Sequence, residues 1–285
     1  MVAREDQPRT LIFVDMLGFA ELTRRNPMRV LEWGPDQHGF MGSGTTELQS
    51  RVVRFHHLVD SVLSSQTGCG GVSAQVFSDC AYIDVTTSPR ALHVATDFMR
   101  ASIKLDVPVR VGLGRGTYYS FKYSVENTGT DVVTKALFAG TAVVNAHSAE
   151  QCGGKGCRIF VHPSVESDLD TSRSDNLLMP LPHELKGGIK TEVCYLSQEV
   201  RVYEMDDQEN RERTVDQDLL LIRHVKQMMQ QSEPMDDAVR RQYSDTLAAI
   251  DRMRQRLSRG TTLLEATFEE DETNNESDAI GENDV

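Results

Sequence analysis

The sequence TLIFVDMLGFAELT, at residues 10–23, decides how the rest of the chain folds. Its apolar run from Leu11 to Val14 is short and partly β-branched or aromatic, which predicts a buried strand that ends at Asp15. Gly18 permits backbone angles that other residues avoid, so we expect a sharp turn there and a helix whose first amides, at residues 17–20, are free. Such amides suit a phosphate, and a carboxylate beside them suits a divalent cation bound to the same phosphate.

A second carboxylate is predicted close to Asp15. The segment SAQVFSDCAYIDV, at residues 73–85, indicates two short strands joined by a tight turn at Ser78 and Asp79. A lone aspartate after a strand is more often a helix cap than a metal ligand. Two carboxylates on adjacent strands, however, provide the hard oxygen ligands with which a pair of Mg²⁺ or Mn²⁺ ions binds a triphosphate. We therefore predict that Asp15 and Asp79 are joint metal ligands.

Composition and charge limit the classes of function. The chain has 285 residues, 39% of them apolar, which is enough for one main domain and an appendage. Its net charge is −13, and the segment 266–285 contains eight acidic and no basic residues. We expect that segment to be a disordered acidic tail, and the overall charge argues against a nucleic-acid partner.

The cysteines and the apolar runs predict the cellular environment. The five cysteines are an odd number without the paired spacing of a zinc site, which favours reduced thiols. No apolar run approaches the roughly eighteen residues of a membrane span, and the first residues lack the apolar core of a signal peptide. We expect a soluble, cytoplasmic protein with no membrane partner.

The remaining patterns predict an α+β fold. Apolar residues at helical spacing predict helices at 45–65 and 88–104 and another that begins at Gly140 and Thr141, whereas short apolar runs predict strands at 107–119, 158–161, 193–196 and 200–203. The glycine-rich segment 33–44 indicates a long functional loop. Gly112, Gly114 and Gly116 alternate along one strand without the spacing of a dinucleotide motif, so we expect another backbone to pack closely against that strand.

Two apolar stripes predict a C-terminal helical hairpin over residues 214–260, joined near Pro234. The first stripe contains Leu219, Leu220, Ile222, Val225, Met228 and Met229, and the second contains Val239, Tyr243, Leu247, Ile250, Met253 and Leu257. We interpret both stripes as packing faces against the main domain or a second subunit.

The order of these elements resembles the class III nucleotidyl cyclase domain over roughly residues 10–165. The segment Phe13–Phe19 is similar to that family's first metal motif, and Phe77–Asp79 stands where its second motif has Gly-Asp. The segment Arg110–Leu113 is similar to its central strand, and Gly140 to Glu150 has the spacing of its last active-site helix. The resemblance implies an α+β, ferredoxin-like palm as a catalytic domain at residues 8–205.

The resemblance also implies a reaction and an assembly. A nucleoside triphosphate would be cyclised to a 3′,5′-cyclic nucleotide with release of pyrophosphate. Asp15, the carbonyl of Met16, and Asp79 would hold two Mn²⁺ or Mg²⁺ ions, and the nucleotide would lie beside Phe13, Leu17, Gly18 and Phe19. Because the family builds its site between two domains and this chain has one copy, a homodimer with two equivalent sites is implied.

Several positions depart from the purine cyclases of that family. Gln75 and Leu137 stand where those enzymes read the base, and Val144 and Ser148 stand where they have a transition-state asparagine and arginine. The missing cation must then come from elsewhere, and the candidates are Arg51, Arg54, Arg115 and Lys155, although each such side chain is more often a solvated surface charge.

These departures resemble the pyrimidine cyclases of bacterial Pycsar antiphage systems, which make cyclic UMP or cyclic CMP as a signal for a separate effector protein. That resemblance implies a UTP cyclase in which Gln75 reads the base and Trp33, Phe40 and Tyr118 stack or close over it. CTP is the alternative substrate. A catalytically inactive nucleotide-binding sensor is a second reading, and the acidic charge disfavours a third, a polymerase-like palm enzyme.

Overall fold

A computed structural model describes residues 8–25, 47–66, 71–126, 132–169, 177–196, 220–228, 230 and 237–276. The strands in these ranges are β1 (Arg9–Met16), β2 (Val72–Val76), β3 (Cys80–Val85), β4 (Val109–Gly116), β5 (Tyr119–Glu126), β6 (Val132–Ala139), β7 (Ile159–Val161), β8 (Leu178–Leu185) and β9 (Ile189–Val193). The helices are α1 (Phe19–Arg25), α2 (Glu47–Ser65), α3 (Ser88–Lys104), α4 (Thr141–Glu150), α5 (Pro163–Glu166) and α6 (Asp237–Glu276), and residues 220–228 are also helical.

The main sheet has the strand order β2-β3-β1-β4-β7-β9-β8, and β5 pairs with β6 in a separate hairpin. Strands β1 to β4 lie side by side in the order β4-β1-β3-β2, and each is antiparallel to the strand next to it. Helix α2 lies in the connection from β1 to β2, and α3 connects β3 to β4. This is the ferredoxin-like βαββαβ arrangement. The predicted α+β fold class is confirmed.

Strand β1 is buried on both faces, because helices cover it from both sides. Ile12, Val14 and Met16 belong to the largest apolar cluster, which also contains the apolar faces of α2 and α3. Leu11 and Phe13 point to the other face, where they pack against Ala142 and Ala146 of α4. Successive side chains of a strand point to opposite faces, so Asp15 shares the α4 face with Leu11 and Phe13.

The glycines of β4 allow α4 to approach the sheet. A Cβ atom placed on Gly114 would lie 2.1 Å from the backbone nitrogen of Ala146, and one on Gly112 would lie 2.1 Å from the carbonyl oxygen of the same residue. Any larger residue at either position would therefore displace the helix. The prediction that a second backbone packs against this strand is confirmed, and that backbone belongs to α4.

Three parts of the fold differ from the sequence-based assignment. The hairpin β5–β6 was not predicted, and neither was β8, whose Pro180 and Pro182 argue against a strand in the middle of a sheet. Strand β8 lies at the sheet edge, where proline is tolerated because one side has no partner strand. The strand predicted at 193–196 ends at Val193, whereas the segments 33–44 and 200–203 lie outside the described residues.

The C-terminal helical segments pack on the main domain. Leu221, Val225 and Met228 of the first segment, and Tyr243, Ile250 and Met253 of α6, are buried in the main cluster. The first stripe is corrected by one position, because Leu221 is buried whereas Leu220 is exposed. Helix α6 extends to Glu276, through residues such as Leu, Ala and Glu that favour helices.

Two further observations concern the described part of the chain. Cys80, Cys152, Cys157 and Cys194 are free thiols, as predicted. None of the helices within the described ranges is long and apolar enough to cross a membrane.

Candidate active site

The two predicted metal-binding acids meet at one end of the sheet. Asp15 lies near the C-terminal end of β1, and the turn between β2 and β3 brings Asp79 beside it. The backbone N–H of Met16 donates a hydrogen bond of 2.8 Å to the carbonyl oxygen of Asp79. The Ser78 hydroxyl donates to the Asp79 carboxylate at 3.0 Å. The turn is therefore fixed to the strand end by the backbone itself.

Two more charged residues complete the site, and the sequence analysis did not assign them to it. Asp15 lies opposite Arg110 of β4 in the strand register. The Nε of Arg110 donates a hydrogen bond of 2.6 Å to Glu150, which is fully buried at the end of α4. The same guanidinium donates to the carbonyl oxygen of Gly154 at 3.1 Å. Arg110 precedes Gly112 by two residues, and this spacing is the sequence signal that places it on the α4 face.

The local electrostatics disfavour a negative charge on Asp15. The pKa of Asp15 is raised from an ordinary 3.8 to about 7, first by burial and next by the Glu150 carboxylate. The guanidinium of Arg110 lowers this pKa, and Asp79 raises it. Burial, together with Asp79 and Asp15, also raises the pKa of Cys80 to about 11. The site thus concentrates carboxylates in a partly dehydrated place.

This charge pattern fits a divalent cation. Asp15, Asp79 and Glu150 supply three carboxylates, and Arg110 supplies one compensating positive charge beside them. Among the described residues, no group of three or more His, Cys, Asp or Glu side chains is arranged to hold a metal ion by itself. Asp15, Asp79 and the carbonyl of Met16 would therefore share the ion with water and phosphate oxygens, which is the usual coordination of Mg²⁺.

The predicted phosphate site at the β1–α1 turn is smaller than expected. Gly18 has a φ of 75°, which confirms the predicted turn. The Leu17 amide, however, donates a hydrogen bond of 2.9 Å to the carbonyl oxygen of Pro108, so it is not available to a phosphate. The amides of Gly18 and Phe19 bond no residue within the described ranges. The correction arises because the strand pairing of β1 with β4 continues one residue past the end of β1.

The structure does not bring the predicted cations to Asp15. Arg51 and Arg54 lie on α2, on the opposite face of the sheet, where Arg51 binds Glu47 at 2.7 Å and Arg54 binds the carbonyl oxygen of Leu105 at 2.9 Å. Arg115 pairs in register with Thr10, so it lies five residues along β1, roughly 17 Å from Asp15. Its guanidinium binds Asp168 at 2.9 Å. Lys155 lies in the glycine loop after α4 and lines a different cavity.

Gln75 faces the same side of the sheet as Asp15. It pairs with Tyr82, which pairs with Phe13, so these three residues form one row across β2, β3 and β1. Strand spacing puts the Cα atoms of Gln75 and Asp15 roughly 12 Å apart. The Gln75 side chain is half-buried and makes no hydrogen bond to any residue in the described part of the chain. Its amide is available to a ligand on this face.

Aromatic rings line this face beside Gln75. The rings of Phe13 and Tyr82 stack at 4.5 Å, and Phe138 lies 4.8 Å from Tyr82. Tyr118 packs near Leu11, toward the other end of β1, and burial raises its pKa. Trp33 and Phe40 lie outside the described residues.

Two of the four positions that depart from the purine cyclase pattern are exposed. Leu137 is 55% exposed and Val144 is 66% exposed. The amide of Asn145, one residue further, donates to the carbonyl oxygen of Arg115 at 2.9 Å and is therefore directed away from the site. In the described part of the chain, helix α4 therefore presents no asparagine and no arginine at the two positions, 144 and 148, where the purine cyclases have their transition-state residues.

Comparison with known proteins gives a likeness to cyclases. No protein-family model and no curated protein sequence matches this chain. The guanylate cyclase domain of RhGC from Catenaria anguillulae, in complex with GTP, is 17% identical with a TM-score of 0.45, covering 67% of this chain and 96% of that chain. A bacterial light-regulated adenylyl cyclase is 17% identical with a TM-score of 0.44, covering 78% and 59%. Adenylate cyclases from Trypanosoma brucei, in their monomeric state, are 12% identical with a TM-score of 0.43, covering 70% and 91%. Similarity of this degree does not by itself assign an activity.

Proposed function

We propose that this protein is a nucleotide cyclase that converts a nucleoside triphosphate into a 3′,5′-cyclic nucleotide and pyrophosphate. One observation supports this most strongly. The 2.8 Å hydrogen bond from the Met16 amide to the Asp79 carbonyl holds Asp15 and Asp79 at the same strand end, in the order of the cyclase metal motifs. Asp15 and Asp79 would hold the two Mn²⁺ or Mg²⁺ ions together with the Met16 carbonyl.

Each part of the site has a role in that chemistry. Bound ions lower the pKa of the attacking 3′-hydroxyl and offset the charge that develops on the phosphates. Asp15 would give up its proton when a cation binds, because its ligating form is the carboxylate. Arg110 and Glu150 hold one another in place next to Asp15, so they act as positioning residues. Gly18 and Phe19 offer backbone amides to the phosphates.

The substrate we propose is a pyrimidine triphosphate, with UTP preferred over CTP. The Gln75 amide is available on the Asp15 face, and it can both donate and accept a hydrogen bond. These are the two functions that the O4 and N3 edge of uracil requires, and a flipped amide would suit cytosine. Leu137 offers no polar group to a purine, which leaves Gln75 as the candidate base reader.

The substrate test is a competition among the four triphosphates. Wild type, Gln75→Ala and Ser73→Ala would each receive equimolar UTP, CTP, ATP and GTP with Mn²⁺, and the cyclic products would be separated. Ser73 is the matched control because it lies two residues earlier on the same face of β2. We expect cyclic UMP as the main product and an approximately tenfold or larger loss of base selectivity in Gln75→Ala alone. A purine product in wild type would refute the pyrimidine assignment, and an unchanged base ratio in Gln75→Ala would refute the role of Gln75.

A homodimer with two shared sites is part of the proposal. Leu137, Val144 and Phe77 are large apolar residues with exposed fractions of 55%, 66% and 45%. Phe77 lies 6.0 Å from Phe138, the residue that follows Leu137 on β6. Large apolar side chains that remain exposed are candidates for an interaction surface. A second copy on this surface would also place its own residues beside Asp15, where the described residues supply no cation at the family's transition-state position.

The biological role follows only from the resemblance to Pycsar cyclases. The cyclic pyrimidine nucleotide would be a second messenger that acts on a separate effector protein during antiphage defence. A second candidate, a nucleotide-binding sensor without turnover, is favoured by Val144 and Ser148, which occupy the positions of the family's transition-state residues. Binding of labelled UTP without any cyclic product, in the dimer and with Mn²⁺, would support the sensor and reject the enzyme.

A further inference from the structure

A cavity of about 240 Å³ lies beside the candidate active site, and Gly154, whose carbonyl binds Arg110, is in its lining. It lies where three elements meet. These are the glycine loop after α4, strand β8 and helix α6. The residues that line it include Lys155 and Arg158, His183 of β8, and Asp245 and Arg252 of α6. The cavity therefore exists only because α6 is packed on the domain.

Hydrogen bonds fix the shape of this cavity. The Gly156 amide donates to the side-chain oxygen of Gln242 at 2.6 Å, and the Cys157 amide donates to the Thr246 hydroxyl at 2.8 Å. Both bonds join the glycine loop to α6. Gly156 has a φ of 87°, so the loop could not follow this path with a larger residue at that position. The glycine loop is thus held against α6 by bonds from its amides to α6 side chains.

The cavity is rich in positive charge although the protein is acidic. Arg158 and Arg252 both bind the buried Glu192, which compensates one of them. The Nε atom of Arg252 is buried and has no hydrogen-bond partner in the described part of the chain. Lys155 is exposed at the cavity and forms no ion pair or hydrogen bond with any residue in the described ranges. The cavity and its surroundings therefore hold three positive side chains and two carboxylates. The positive ones are Lys155, Arg158 and Arg252, and the carboxylates are Glu192 and Asp245.

We propose that this cavity is a binding site for a small phosphate-bearing ligand, held by Lys155 and Arg252. The Arg252 side chain lines the cavity and is 32% exposed, so a ligand in the cavity can contact it although its Nε atom is buried. Arginine and lysine together are suited to phosphate, because the guanidinium offers directed N–H groups and the ammonium offers a point charge. The volume corresponds to about eight water molecules, which leaves room for a phosphate and a body of a few carbon atoms.

Inorganic phosphate is the probe for a calorimetric test. The full chain would be titrated in chloride buffer with EDTA and without nucleotide, so that divalent ions cannot recruit phosphate to Asp15. Lys155→Gln is the main variant because its side chain supports no other described contact, and Lys104→Gln, at the exposed end of α3, is the matched control. We expect saturable binding in wild type and Lys104→Gln, and binding weakened about tenfold or more in Lys155→Gln.

A second measurement locates the bound phosphate. Hydrogen exchange at the Gly156 and Cys157 amides should slow when phosphate is added to wild type, because a ligand between the loop and α6 holds their acceptors in place. Arg252→Lys, which retains the charge and loses the planar guanidinium donors, should weaken phosphate binding while the protein remains folded. Absence of saturable binding in wild type, equal affinity in Lys155→Gln, or unchanged exchange at both amides would each overturn the proposal.

Discussion

Replacement of Asp15 by asparagine should make the metal-free protein more stable at pH 8, and the gain should shrink as the pH falls. The pKa of Asp15 is about 7 in the folded chain and 3.8 ordinarily. Between these values the folded state binds more protons than the unfolded state, so stability falls as pH rises. Above pH 7 the full cost of a charged Asp15 is present. Asparagine has a similar shape and no charge, so it avoids that cost.

The size of the effect follows from the pKa shift. A shift of about three units corresponds to about 4 kcal/mol. Asp15 is only partly buried, so we halve this figure to about 2 kcal/mol to allow for solvent screening. For a protein of this size, that difference raises the unfolding temperature by about 4 to 8 °C. At pH 5, only about one of the three pH units between the ordinary and the folded-state pKa of Asp15 contributes. About a third of the stability difference between Asp15→Asn and wild type should therefore remain.

The assay is thermal unfolding of wild type and Asp15→Asn in EDTA from pH 5 to pH 8.5, with Asp60→Asn, an exposed carboxylate on α2, as the control. The Asp15→Asn advantage should grow with pH and then level off, whereas Asp60→Asn should follow wild type. Added Mn²⁺ should raise the unfolding temperature of wild type more than that of Asp15→Asn, because binding to the folded state stabilises it. An Asp15→Asn protein that is less stable than wild type at pH 8, or a difference independent of pH, would refute the electrostatic account of the site.

Three more predictions concern the packing and assembly around this site. Arg110→Gln should lower the free energy of unfolding by about 3 to 5 kcal/mol in urea titrations, because it leaves Glu150 buried without its partner; a loss no larger than that of an exposed substitution would contradict this. Gly114→Ala should cost about 3 kcal/mol or more, because the new Cβ would lie 2.1 Å from the Ala146 nitrogen. A variant with wild-type stability would show that α4 moves freely. Specific activity should fall on dilution as the dimer dissociates, and constant activity in a protein that sediments as a monomer would exclude the shared site.

The sequence was most informative where one local signal decided the structure. The run ending at Asp15, the turn at Gly18 and the hairpin turn at Asp79 each depend on a few adjacent residues, and all three are present in the structure. The alternating glycines of β4 similarly predicted a close backbone, because only a missing side chain allows such an approach. The amphipathic helices were predicted from the spacing of their apolar residues, which is also a local signal.

Tertiary structure decided the charged surroundings of Asp15. Arg110 and Glu150 are 40 positions apart in the chain, and they meet because β1 pairs with β4 and the β4 glycines let α4 descend onto the sheet. The same pairing uses the Leu17 amide, which the sequence alone left free. The positive charges of Arg51, Arg54 and Arg115 made them candidates for the site. They lie away from Asp15, because α2 packs on the other face of the sheet and Arg115 pairs with Thr10. Residue type and spacing thus determined which groups exist at each strand end, whereas register and packing, which depend on contacts distant in sequence, determined which groups face each other.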